Sequence, residues 1–247
     1  MVKIGIYGAC GKMGIRIATL ALKDKKMKIV SAIERPDHPM IGKDLGDVLG
    51  CEKLGVIVGT DPFETAKKID CMIDFTLPVP TMEHLSECVR NKTRMVIGTT
   101  GCSPVEEKKI KAAAKKIAIV FSPNMSVGVN LVFDFVAKAA KILSPEFSMR
   151  IDETHHVHKK DSPSGTAKMI ARVMKEASGK DVPIEAFREG EVVGNHGIIY
   201  ESPFETIEIR HDAKTRDIFV VGALKAAKFI SARKKGIFNM ADVLDLK

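Results

Sequence analysis

Short apolar, β-branched runs recur through the first half of the chain. Val2–Tyr7, Lys28–Ile33, Val56–Val58, Met72–Phe75, Met95–Ile97 and Ala118–Phe121 read as strands. Between them, Lys12–Leu22, Pro80–Arg90 and Pro104–Lys116 carry apolar residues at helical spacing. The last of these opens with Ser103 as N-cap, Pro104 in the first turn and Glu106 three residues on, the pattern of a capping box. Strands alternating with helices predict a parallel sheet with right-handed crossovers.

The rhythm changes after Asn124. A long helix is predicted over Val127–Leu143, then a strand at Met149–Glu153 and a helix opening near Ser164 and closing near Gly179. Alternating runs at Gly197–Tyr200, Glu205–Arg210 and Ile218–Val221 read as strands, with a helix at Ala223–Arg233. The expected fold is α/β: a Rossmann-type parallel sheet domain (1–126 and 217–247) plus a second α+β domain (127–216) with an open, mostly antiparallel sheet.

At 247 residues the chain is long enough to bury a core without staples. Its five cysteines form no C-x-x-C pair, so free thiols in a reducing cytoplasm are expected rather than disulfides or a thiolate zinc site. No apolar run is long enough for a transmembrane helix, and the N-terminus reads as a strand rather than a signal peptide. Net charge is +8, yet Trp is absent and Tyr occurs twice, without basic–aromatic interleaving. That favours small anionic ligands over nucleic acid.

Gly8-Ala9-Cys10-Gly11-Lys12-Met13-Gly14 lies between the first strand and the first helix. This G-x-x-G-x-x-G spacing is a variant of the dinucleotide fingerprint. Its glycines allow a tight turn and close backbone approach, and the helix N-terminus faces a pyrophosphate. Glu34 follows 20 residues after Gly14, where a carboxylate accepts from a ribose 2′-OH. Arg35 is placed for a 2′-phosphate, so NADH and NADPH both remain open. Other predicted strand ends, Gly98-Thr99-Thr100-Gly101 and Ser122-Pro123-Asn124, would share the same rim. The bland alternatives are ordinary βα turns and a surface ion pair.

Glu153-Thr154-His155-His156-Val157-His158-Lys159-Lys160-Asp161-Ser162-Pro163-Ser164-Gly165-Thr166-Ala167 holds three of the seven histidines. Neighbouring histidines on a strand point to opposite faces and no i, i+4 pair exists, which disfavours a metal site. A polar surface loop and an acid–base site for an anionic substrate remain. The second has His as proton carrier, Lys159 as fixed charge and Ser164-Gly165-Thr166 opening a helix that can hold a carboxylate.

This stretch resembles the E-x-H-H-x-x-K-x-D-x-P-S-G-T-A signature of the 4-hydroxy-tetrahydrodipicolinate (dihydrodipicolinate) reductases of the diaminopimelate route to lysine. Gly8–Gly14, Glu34-Arg35, Gly98–Gly101, Asn124–Asn130 and Gly236–Leu244 are similar to that family's segments in the same order. The resemblance implies His155 as catalytic acid/base and Lys159 as second proton donor. It implies His156, Ser164, Gly165 and Thr166 on a small dicarboxylate heterocycle. For NADH or NADPH it implies Gly8, Ala9, Cys10, Gly11, Lys12, Met13, Glu34, Arg35, Gly98, Thr99, Thr100, Ser122, Pro123, Asn124 and Met125. It further implies a cytoplasmic homotetramer with no metal, and an arginine near the hinge at Arg216. The other readings left open are a different NAD(P)-dependent amino-acid reductase and a non-catalytic NAD(P)-binding protein.

Overall fold

The computed structural model describes residues 1–65 and 68–246, so 66–67 and Lys247, all within the expected first domain, lie outside the description. Contacts divide the chain into two compact units. The first spans Met1–Met125 and returns at Phe219–Asp245, and the second spans Ser126–Ile218.

In the first unit, β1 (Val2–Tyr7), α1 (Lys12–Leu22), β2 (Met27–Ile33), α2 (Leu45–Leu49), β3 (Val58–Gly59) and α3 (Pro62–Thr65) are followed by β4 (Cys71–Asp74). Next come α4 (Pro78–Arg90), β5 (Arg94–Ile97), α5 (Pro104–Ala113) and β6 (Ala118–Phe121). The second unit consists of α6 (Val127–Leu143), β7 (Ser148–His155), α7 (Gly165–Ser178), β8 (Ile184–Arg188), β9 (Asn195–Glu201) and β10 (Thr206–Asp212). The chain then forms α8 (Asp217–Ser231), β11 (Gly236–Phe238) and α9 (Met240–Leu244).

Among the described residues the first unit carries a seven-stranded parallel sheet in the order β11-β6-β5-β4-β1-β2-β3. Its central strands are buried on both faces: all four residues of β4, apolar but for Asp74, and the last four of β1 are buried. That is what helices on both sides of a parallel sheet require. The chain winds one way from β1 and the other way from β4, so the topological switch falls between these two strands, where ligand crevices form in such sheets. The expected capping box on α5 is present, with Ser103 and Glu106 satisfying each other's backbone N–H groups.

The second unit has a four-stranded sheet, β10-β9-β7-β8. β9 pairs antiparallel to β7 and β10, and β8 pairs parallel to β7. Strand β7 alternates strictly. Met149, Ile151, Glu153 and His155 are buried on one face, and the first two join the core formed with Val136 and Ala140 of α6 and Ile170 and Met174 of α7. Polar residues thus continue an apolar row.

One expected strand is corrected. Ile218–Val221 belongs to the opening of α8. A short apolar run is ambiguous by periodicity alone, and here helical apolar spacing continues through Ala223, Leu224, Ala227 and Ile230. β8, the short helices α2 and α3, and the closing β11 and α9 were not read from the sequence. Each is short, and β8 has no fully buried residue to mark it.

Candidate active site

The buried end of β7 brings together the histidine chemistry of the second unit. Glu153 is fully buried and its carboxylate contacts His155 Nδ1. The other carboxylate oxygen accepts the Ser164 backbone N–H at 3.1 Å and pairs with Arg188 Nη1 at 3.1 Å. Three donors on one carboxylate keep a buried anion tolerable. This contact orients the His155 ring with Nδ1 toward Glu153, and Nε2 lies on the Gly194 side. Burial pulls the His155 pKa below its ordinary value, and the Glu153 contact opposes that pull in part.

His196 stands edge-on to His155, with ring centres 5.2 Å apart, and its Nε2 lies 3.2 Å from Ser164 Oγ. Burial, with His155 and His211 nearby, pushes its pKa down to about 4, so it is neutral at pH 7. Ser164 also caps α7 by accepting the Ala167 N–H. Gly165 and Thr166 form the first turn of that helix. His156 leaves the strand, and its buried Nδ1 has no hydrogen-bond partner. His158 is exposed, 3.4 Å from Glu191. Lys159 Nζ pairs with Asp161 at 2.8 Å.

In the first unit, Gly8 adopts φ +66°, a conformation that an L side chain resists. A Cβ on Gly14 would sit 2.1 Å from the Gly8 carbonyl oxygen, so the loop folds tightly onto the start of α1 only with glycine there. Helix α1 has Gly11 as N-cap, no side-chain cap and no acid in its first turn, with Lys12 exposed at its start. That end presents a positive dipole to an anion. Glu34 reaches back across the loop, one oxygen accepting the Cys10 N–H at 3.1 Å and the other the Arg35 N–H at 3.1 Å. These features fit a dinucleotide: a glycine cradle, an uncapped helix start and a carboxylate at the end of β2. Arg35 is exposed and lies 3.3 Å from Asp37.

Thr99 turns its hydroxyl inward to Thr81 at 2.9 Å, and Thr100 is exposed. Ser122 bonds the Asn124 carbonyl at 3.0 Å, Pro123 is exposed, and the Met125 side chain is buried. Sequence reasoning gave no role to Glu153, Arg188, His196, Asp74 or His84. The period-2 placement of Glu153 two residues before His155 was a usable signal. The other four meet their partners only through the fold.

The comparisons agree with one another. A family model described as dihydrodipicolinate reductase, N-terminus, matches residues 2–125, and its C-terminal counterpart matches 128–244. A 4-hydroxy-tetrahydrodipicolinate reductase of Geotalea uraniireducens is 39% identical, covering 100% of both chains, and one of Syntrophotalea carbinolica is 36% identical, also over 100% of both. Among solved structures, a dipicolinate-bound dihydrodipicolinate reductase from Paenisporosarcina sp. TG-14 superposes with TM-score 0.82 at 25% identity, covering 98% of each chain. An amine dehydrogenase from Mycobacterium smegmatis shares the fold at TM-score 0.72 and 16% identity, covering 98% of this chain and 95% of its own. Matched from residue 2 to residue 244, with a parallel dinucleotide-type sheet and a mixed second sheet, the chain belongs to the dihydrodipicolinate reductase family.

Proposed function

We infer that the chain catalyses the NAD(P)H-dependent reduction of 4-hydroxy-tetrahydrodipicolinate to tetrahydrodipicolinate in the diaminopimelate route to lysine. The net reaction takes up a hydride and a proton and releases water. NADH or NADPH, held at Gly8–Met13 and Glu34, supplies the hydride. The observation that carries the reading is the Glu153–His155 pair at the buried end of β7, with Arg188 and the Ser164 N–H on the other Glu153 oxygen.

His155 delivers the proton from Nε2 while Glu153 holds Nδ1 and stabilises the imidazolium that forms before transfer. Lys159 is the second donor, and its contact with Asp161 holds it in place. His156, Ser164, Gly165 and Thr166 receive the two substrate carboxylates, helped by the positive end of α7. The Gly98–Thr100 and Ser122–Met125 segments line the nucleotide through their backbone.

The working assembly is a homotetramer in the cytoplasm that binds no nucleic acid. Phe187 on β8 and Ile207 on β10, exposed on the second unit's sheet, support the association. Among the described residues no helix is long and apolar enough to cross a membrane. The test of the activity is NADH and NADPH oxidation, followed by absorbance, with freshly generated substrate. Turnover is expected in wild type and lost in His155→Gln. Full turnover in that variant would remove His155 from the reaction, and no turnover in wild type would remove the function.

A further inference from the structure

We propose that Cys10, Glu34 and His38 form a binding site for a thiophilic divalent cation of the zinc class, beside the glycine loop of the first unit. One ligand atom from each of the three residues lies within 4.8 Å of the other two. A tetrahedral zinc ion, with bonds of about 2.0–2.3 Å, needs its ligand atoms roughly 3.3–3.7 Å apart. Side-chain rotation on the order of an ångström closes that gap. All three residues are partly exposed, so an ion has an entry path and a fourth position open to water.

The backbone already holds the three groups in register. The Cys10 N–H and Glu34 are tied at 3.1 Å, and the His38 N–H bonds the Arg35 carbonyl at 3.0 Å, which folds the turn after β2 back toward the loop. Each Glu34 oxygen accepts one backbone N–H, which leaves a lone pair on each for a metal. His38 Nδ1 accepts the Met40 N–H at 3.3 Å, a long bond that an ion on Nδ1 would replace. The nearby Arg35 guanidinium is paired with Asp37. A Cys thiolate and a Glu carboxylate give two negative charges for a divalent ion. Without the ion, burial and Glu34 push the Cys10 thiol up to about 11, so binding must displace its proton.

The other three-residue cluster, Glu153, His155 and His196, lacks this character. All three of its residues are buried, and Arg188 already pairs with Glu153. If Glu34 receives the ribose as inferred above, the ion and the pyridine nucleotide exclude each other, and that consequence rests on the cofactor reading.

The experiment titrates the full-length protein with zinc against a chromophoric chelator and, separately, with cobalt, following the near-ultraviolet band of a thiolate–cobalt bond. Wild type should bind one ion at this site with release of about one proton. Cys10→Ser should lose the band, and Cys10→Ser and His38→Gln should each weaken zinc binding by more than about tenfold. Thermal melts establish that both variants are folded, and His38→Gln, on a partly exposed turn, serves should Cys10→Ser unfold. Unchanged zinc affinity in the folded variants, or no thiolate band in wild type, would overturn the site. Zinc binding that depends on Cys10 and His38 but is indifferent to saturating NADH and NADPH would uphold the metal site and instead remove the nucleotide from Glu34.

Discussion

His84 Nδ1 lies 2.7 Å from a carboxylate oxygen of Asp74, which is fully buried at the end of β4. The His84 ring stacks on Tyr7 with centres 3.8 Å apart and planes 6° from parallel, and Tyr7 and Asp74 are register partners on β1 and β4. The pair therefore sits at the switch point of the sheet. Asp74 also takes the Thr76 N–H at 2.8 Å, the Thr76 hydroxyl at 2.6 Å and the Thr99 hydroxyl at 3.4 Å. One buried carboxylate thereby fixes two strand-end loops on the proposed cofactor rim. An amide accepts through one oxygen only, so Asp74→Asn leaves donors unmatched at a cost of about 1–3 kcal/mol. The expected result is a melting temperature lower by several degrees and a raised KM for NADH or NADPH, with kcat less affected. An unchanged KM would show that the rim does not depend on this network.

Removing the His155 imidazole takes away the proposed proton donor. His155→Gln should lower kcat by roughly 10²–10⁴ while leaving nucleotide affinity intact. Glu153→Gln acts through His155. The Glu153 carboxylate raises the His155 pKa, whereas burial, Lys159 and Arg188 lower it. Without the carboxylate the protonated form is confined to lower pH, so the alkaline limb of the kcat/KM profile should shift to lower pH. A pH–rate profile identical to wild type would reduce Glu153 to a packing role.

Lys159 is mostly buried in its contact with Asp161. Lys159→Ala should lower kcat by roughly 10²–10⁴, since it removes the proposed second donor. Stopped-flow and steady-state rates with either nucleotide measure this directly. A normal rate would leave Lys159 as a structural partner of Asp161.

Histidine burial makes stability pH-dependent. The His196 pKa is about 4 in the fold against an ordinary value of 6.5, so the unfolded chain binds a proton that the native chain refuses. Stability from this group is fully present above about pH 6.5 and is lost as pH falls toward 4. The loss across that window is roughly 2–4 kcal/mol. His155 and His211, also held below their ordinary value by burial, act in the same direction. Denaturant midpoints at pH 7 and pH 5 should differ in wild type and differ less in His196→Gln.

Most of the architecture was legible because its signals are local. β1, the Gly8–Gly14 loop and α1 carry their own periodicity and turn chemistry, and α6 was read to the residue, with Ser126 capping it. The His155 and Lys159 signature is likewise contiguous. What escaped depends on distance along the chain. Arg188 meets Glu153 across 35 residues, and His196 meets Ser164 across 32, through the β7–β8 and β7–β9 pairings that no single segment encodes. His84 reads as an ordinary polar residue of α4 until the sheet places Asp74 beside it. The Ile218–Val221 run misled because four apolar residues fit a strand and a buried helix turn equally well.

Gly194 offers the sharpest separation of catalysis from folding. A Cβ there would lie 2.9 Å from His155 Nε2, closer than packed carbons tolerate, while its backbone does not require a positive φ. The imidazole has little freedom to retreat, because Glu153 holds Nδ1 from behind and Glu153 is itself fixed by Ser164 and Arg188. In Gly194→Ala the added methyl therefore covers the nitrogen proposed to deliver the proton. The core of the second unit is untouched, so the melting curve should shift little, and nucleotide affinity in the first unit should be unchanged. Turnover should fall by roughly 10-fold or more. If kcat stays at the wild-type value in a folded Gly194→Ala protein, Nε2 of His155 is not the atom that serves the substrate.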